Sequence, residues 1–325
     1  CLSTSRKIVK TKKKIKYLNK NKISKIVLDN FGHNLTKGQS EILMEINKDI
    51  SSEQRMFRLL QGDVGSGKTI LALITAANII EINYQVAFMA PTEILAQQHY
   101  KLAIKLFKNS NINIELFTGK TDFNKKKHIL SDLQNGKINL LFGTHALFQN
   151  KIKFLNLGFV IIDEQHKFGV NQRIKLAKKG GKNCDLLLIS ATPIPRTMML
   201  SFFGDMDISR LKEKPKNRHN ILTLVKPESK ISDIWPLLKK EMSFERQIFW
   251  VCPLIDESSI LNFSSAKKKF EQINKLFPNQ VGLIHGSLNK DEKDLVLKKF
   301  LSKTIKILVS TTVIEVGIDF PDANT

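Results

Sequence analysis

The feature that most constrains this chain is the run Arg58-Leu59-Leu60-Gln61 passing directly into Gly62-Asp63-Val64-Gly65-Ser66-Gly67-Lys68-Thr69. The pattern is GxxxxGKT after a short apolar stretch. It reads as a phosphate-binding loop between a strand and a helix, the helix predicted over Ile70 to about Ile82. Glycines let the backbone take φ > 0 and turn its N–H groups around an anion. Lys68 is then expected on the β- and γ-phosphates and the Thr69 hydroxyl on Mg²⁺, with the positive end of the helix aimed at the same phosphates. A glycine-rich turn beside a surface lysine is the plainer alternative, but the strand, loop and helix occur in the required order.

The chain has 325 residues, enough for two domains with separate cores. Its formal charge of +22 suits a polyanionic partner. Most of that excess is lysine, and Asn and Ile are also frequent, a composition that AT-rich coding produces without any selection for binding. Cys1, Cys184 and Cys252 show no CxxC spacing, which fits plain thiols in a reducing, cytoplasmic compartment. No apolar run approaches the roughly 20 residues of a membrane span, and no apolar signal core follows the basic start. Residues 1–30 are expected as a basic linker or helical segment, with a DNA-touching arm as the alternative.

Apolar strands alternating with helical periodicity predict a parallel α/β sheet, in which ligands bind at the carboxyl ends of the strands. Small polar clusters fall at those ends: Pro91-Thr92, Thr118-Gly119 and Gly143-Thr144-His145. They suit a phosphate backbone and equally suit ordinary strand-to-helix turns. Gln39, ahead of the phosphate loop, carries an amide able to pair with an adenine edge or to open a helix capped by Thr36, predicted at about Ser40 to Asp49. The second strong signal is Phe159-Val160-Ile161-Ile162 ending in Asp163-Glu164-Gln165-His166. A strand parallel to that of the phosphate loop brings Asp163 to the Mg²⁺ shell, and Glu164 is placed to orient the attacking water. The chain has no guanine-reading NKxD, so ATP is favoured over GTP. Gln165 and His166 are expected to hydrogen-bond across the cleft, and neither has metal-ligand spacing. A further strand over Cys184 to Ile189 leads to Ser190 and Thr192, whose hydroxyls are candidates for linking the acidic site to a neighbouring segment.

GDVGSGKT, APTEILAQQ, GTHALF, DEQH and SAT stand here in the order seen in superfamily-two helicases, which the chain resembles from about Phe31 to Thr325. VIIDEQHKFGVNQR, SATPIPRTMMLSFFGDMDIS and WVCPLIDES look like the RecG family of ATP-dependent DNA helicases. The motor of the transcription-repair coupling factor also carries TPIPRT but usually has Glu where this chain has Gln165. A non-catalytic nucleotide-binding remnant is the other alternative.

The resemblance implies two RecA-like domains with parallel sheets: residues 31–211, a linker at 212–219, and a second domain over 220–325 expected to be incomplete at its C-terminus. It also implies ATP and Mg²⁺ as cofactors and branched DNA as the partner of a monomer, with Thr311 and Thr312 on the DNA backbone and Gly317 and Asp319 facing ATP. Without the family, Asp319 is only an acid at a strand end. Such helicases carry an arginine segment beyond the position of Thr325 and a wedge ahead of Phe31, so the chain is expected to be a piece that binds ATP and hydrolyses it slowly. Opening and closing of a cleft between the domains is the expected motor stroke.

Overall fold

Strands separated by helices return to a sheet only by crossing over it, which makes neighbouring strands parallel and covers both faces. The computed structural model describes residues 21–164, 179, 181, 184–192, 206–213, 222–252, 259–311, 320 and 322–325. The chain divides into two units, Cys1–Arg218 and His219–Thr325.

Among the described residues the first unit is built on seven parallel strands: β1 (Phe57–Gly62), β2 (Gln85–Met89), β3 (Ile114–Phe117), β4 (Leu140–Gly143), β5 (Leu157–Ile162), β6 (Asp185–Ser190) and β7 (Asp207–Leu211). Their order is β3-β4-β2-β5-β6-β1-β7. All pairings are parallel, so every carboxyl end lies on one edge of the sheet. Alternate residues divide between two apolar layers: Leu60, Phe88, Phe142, Phe159 and Ile161 pack on one face, and Leu59, Ala87, Leu141, Val160 and Ile162 on the other.

Four helices cover the first face: α1 (Lys22–Phe31), α2 (Lys37–Ser51), α3 (Lys68–Glu81) and α4 (Glu93–Leu106). The helix α3 is apolar almost all round and is buried continuously from Ile70 to Ile80. On the second face lie α5 (Phe123–Gln134), through Ile129 and Leu133, and a short 3₁₀ helix at His145–Phe148. Charged side chains enter the strand layer, Asp185 of β6 at 0% exposure among them. Arg58 of β1 is 8% exposed and donates to Glu45 Oε2 at 3.0 Å, Asp49 Oδ2 at 2.7 Å and Ser209 Oγ at 2.6 Å, tying β1 to α2 and β7.

Three features differ from the sequence-based expectation. The basic start was set apart from the first domain, yet its described part, α1, packs into that unit's core through Val27, with Ile23, Leu28 and Phe31 beside it. Lysines on the outer face concealed an apolar stripe at helical spacing. The helix α2 begins at Lys37 rather than near Ser40, because Thr36 and Gln39 form a capping box and place Gln39 inside the first turn. β7 had no strand expected over it. It is an edge strand with exposed Asp207 and Arg210, so alternation rather than an apolar run marks it.

The second unit holds α6 (Ile234–Ser243), β8 (Ile248–Val251), α7 (Ser259–Leu276), β9 (Val281–Ile284), α8 (Lys290–Leu301) and β10 (Ile307–Ser310). Its sheet, β8-β10-β9, is also parallel, so the α/β expectation holds in both units. Beside β8, Gln247 N–H donates to Asp322 O at 2.6 Å and Phe249 N–H to Thr325 O at 2.8 Å, so residues 322–325 run alongside its start. Among the described residues no helix is long and apolar enough to cross a membrane.

Val27→Ala tests whether α1 belongs to the first core. Removing two methyl groups from a site with 0% exposure is expected to cost about 2 kcal/mol. A urea titration following that unit's transition reads it, and an unchanged midpoint would place α1 outside the cooperative core.

Candidate functional site

β1 ends at Gly62 and β5 at Ile162, with β6 between them, and the register pairs Gln61 with Ser190 and Ile162 with Leu188. The loop after β1 and the acids after β5 therefore leave the same edge two strands apart. In the loop, Ser66 N–H donates to Asp63 O at 3.1 Å, and Gly65 and Gly67 are left-handed at φ +76° and +92°. Ser66 Oγ is buried without a hydrogen-bond partner. A backbone nest with an unsatisfied hydroxyl fits an anion such as a phosphate group.

Lys68 opens α3, and its ammonium donates to Gly62 O and Asp63 O, both at 2.7 Å. Burial pulls this lysine below its ordinary pKa, against the opposing negative charges of Asp163, Glu164 and Asp63. Those charges come from two different strand ends, so the tertiary fold assembles the field around the ammonium. Thr69 is half-buried in the first turn of α3.

Asp163 is 5% exposed and Glu164 2%. Asp163 Oδ1 accepts the Glu164 N–H at 3.0 Å, and Asp163 Oδ2 lies 2.7 Å from His99 Nε2. Glu164 has φ +47°, a left-handed conformation that an L side chain adopts at a cost of about 1–2 kcal/mol. Its Oε2 accepts from Ala191 N–H at 3.5 Å. Strain of this kind is held in place by the surrounding packing and concentrates where side chains must be aimed. Ser190 and Thr192 bond mainly to one another: the hydroxyls lie 3.1 Å apart, and Thr192 N–H donates to Ser190 Oγ at 3.2 Å.

Gln39 performs its helix-opening role here. Its Oε1 accepts Thr36 N–H at 2.9 Å, and its Nε2 donates to the Ser66 carbonyl at 2.9 Å, which fastens α2 to the phosphate loop.

The polar residues after β2, β3 and β4 occupy the other half of the same edge. Thr92 Oγ caps α4 by accepting Leu95 N–H at 3.3 Å, and Pro91 is half-buried. Thr118, Gly143 and Thr144 are buried, whereas Gly119 and His145 are exposed. In the second unit Thr311 is buried at the end of β10, and its Oγ1 has no hydrogen-bond partner. Gln165, His166, Thr312, Gly317 and Asp319 lie outside the described residues.

Two polar side chains at the site were not singled out from the sequence. Gln61 Nε2 donates to Thr192 O at 3.0 Å, bridging the ends of β1 and β6. His99 is buried in α4 on the stripe formed with Leu95, Ala96, Ala103 and Leu106. A polar residue within an apolar helical stripe was the signal available for it. Among the described residues no group of three or more His, Cys, Asp or Glu is placed to hold a metal ion. A nucleotide-bound Mg²⁺ needs only one or two protein oxygens; Asp163, whose charge acts on Lys68, and Thr69, next to Lys68 in α3, are the candidates.

Residues 36–200 match the DEAD/DEAH box helicase family, and residues 246–325 match the helicase conserved C-terminal domain. The chain is 47% identical over 292 residues to the ATP-dependent DNA helicase RecG of Thermotoga maritima, covering 89% of this chain and 37% of that protein. It is 44% identical over 291 residues to the RecG of Bacillus subtilis, covering 89% and 42%. The chain thus spans less than half the length of these relatives. A solved structure of RecG bound to a three-way DNA junction superposes with TM-score 0.83 at 40% identity, over 99% of this chain and 42% of that one. Mss116p bound to single-stranded RNA and AMP-PNP, at TM-score 0.64 and 18% identity over 93% of this chain and 65% of that one, shares the fold.

The two left-handed loop glycines differ in their surroundings. A Cβ at Gly65 would meet nothing within 4 Å, whereas one at Gly67 would collide with Gln39 Nε2. Gly67→Ala is therefore expected to lower the melting temperature of the nucleotide-free chain more than Gly65→Ala, which carries only the backbone penalty of about 1–2 kcal/mol. Equal shifts would show that Gln39 is not seated against the loop.

Proposed function

We propose, from the premise that this chain belongs to the DEAD/DEAH box helicase family and is of the RecG type, that it is the motor region of an ATP-dependent DNA helicase acting on branched DNA in the cytoplasm. The observation that carries this reading is the convergence of the Lys68 ammonium with Asp163 and Glu164 at one sheet edge. A buried cation, an anion-shaped nest and two carboxylates are the groups that triphosphate hydrolysis requires.

The residues then divide the work. The N–H groups of the loop from Gly62 to Thr69 hold the phosphates. Lys68 gives up its carbonyl partners Gly62 and Asp63 for the phosphate oxygens and offsets negative charge as water bonds to the γ-phosphorus and the bond to the departing ADP oxygen breaks. Thr69 and Asp163 would hold Mg²⁺, which would supply positive charge to the phosphate oxygens. Glu164 orients the attacking water and takes its proton. Gln39 borders the phosphate loop through its bond to the Ser66 carbonyl, and Gly317 and Asp319 are assigned to ATP by family resemblance. Ser190, Thr192, Gln165 and His166 relay the state of the phosphates.

The polar ends of β2, β3 and β4 serve the DNA: Gly119 and His145 are exposed and Pro91 and Thr92 half-buried, with Thr118, Gly143 and Thr144 supporting the loops behind them. Family resemblance assigns the same role to Thr311 and Thr312. Such contacts go to the phosphate backbone and carry no base specificity.

Lys68→Ala is expected to abolish binding of a fluorescent ATP analogue. Glu164→Gln should keep that binding while phosphate release falls by about 10²–10⁴-fold. Normal hydrolysis by Glu164→Gln would assign the base to another residue.

DNA affinity is expected to fall linearly on a plot of log K against log salt, with each phosphate contact adding about −0.9 to the slope on duplex DNA and about −0.7 on single strands. Fluorescence anisotropy with a labelled three-way junction measures it, and a flat response would rule out backbone tracking.

A further inference from the structure

His99 lies two turns into α4, on the face of that helix turned toward the sheet, and its ring packs on Phe88 with centroids 4.8 Å apart. Burial alone would be served there by leucine or methionine. A histidine is distinguished by its Nε2, which lies 2.7 Å from Asp163 Oδ2. A carboxylate can only accept, so the ring donates Nε2–H. The other oxygen of Asp163 accepts the Glu164 N–H at 3.0 Å. Both carboxylate oxygens are thus held, one by a backbone group of the neighbouring acid and one by a side chain from a different helix. The pair is nearly dry, with His99 8% and Asp163 5% exposed, so water competes little for these bonds.

The position of the pair in the sheet adds to this. β2 and β5 are neighbours with Met89 opposite Ile162, so α4 and the acids leave adjacent strands at the same level. To one side lie β4 and β3, and to the other β6 and β1. The contact from His99 to Asp163 joins the half of the edge that bears Thr92, Gly119 and His145 to the half that bears Lys68.

We propose that His99 is a positioning residue, which holds the Asp163 carboxylate in one orientation for a divalent cation bound with nucleotide. This rests on the reading of Asp163 as the carboxylate of the Mg²⁺ site. Side chains that hold a metal-binding carboxylate in this way are worth about 10–100-fold in metal affinity.

The test uses the unmodified chain and the variants His99→Leu, His99→Gln and His99→Asn. Binding of a fluorescent ATP analogue is followed across a MgCl₂ titration and separately in EDTA. His99→Leu is expected to raise the half-saturating MgCl₂ concentration about 10-fold or more, with binding in EDTA unchanged. His99→Gln places an amide N–H near the lost Nε2 and should return the midpoint to within about threefold, whereas the shorter His99→Asn should not. The Gln-to-Asn contrast decides the matter even if His99→Leu fails to fold. An unshifted midpoint in His99→Leu, or equal shifts in His99→Gln and His99→Asn, would overturn the proposal and leave His99 a packing residue. An unmodified chain that binds the analogue equally in MgCl₂ and EDTA would overturn the Asp163 reading, and this inference with it.

Discussion

The structure of the first unit turns on the buried cation at the start of α3. Lys68 carries its ammonium into a site 8% exposed, where desolvation disfavours the charge. Two loop carbonyls at 2.7 Å and the negative field of Asp163, Glu164 and Asp63 offset part of that cost. Such a group is stable only if the strands that deliver its partners are held in a fixed register. The seven-stranded sheet does this by covering both faces, so that β1, β6 and β5 cannot slip without exposing alternate apolar residues.

Polar side chains at this edge act mostly on the backbone rather than on one another. Gln39 both closes a capping box and grips the Ser66 carbonyl, Gln61 spans from β1 to the Thr192 carbonyl, and Thr92 caps α4. These contacts fix where loops leave the sheet, so the loops are shaped in advance of any ligand. Glu164 shows the same economy in reverse: its left-handed backbone is strained, and the Asp163 carboxylate stabilises it by accepting its N–H. One carboxylate thereby orients two elements, its own following residue and, through His99, the helix α4.

The two units solve the same folding problem at different sizes. Each has a parallel sheet with helices between its strands; among the described residues the second sheet has three strands to the first's seven, and the segment 322–325 lies along β8. Phe249, Phe300 and Phe320 cluster there with ring centroids 5.1–5.3 Å apart, in edge-on and tilted arrangements that anchor this segment.

The class of the fold and the residue types of the candidate site could be read from local pattern alone. Apolar runs ending in small polar clusters specify parallel α/β units, and GDVGSGKT and the acids after Ile162 are legible because loop geometry and strand ends demand particular residue types at fixed local spacing. What depends on long-range packing was not legible. The stripe of α1 was masked by lysines, β7 is a half-polar edge, and Gln61 and His99 carry no local signature beyond a polar residue in apolar company. Only the tertiary structure decided that His99 meets Asp163, 64 positions away in sequence. That meeting follows from the strand order, which sets β2 beside β5. Strand order is chosen by which apolar faces cover one another over the whole domain rather than by any residue near the site.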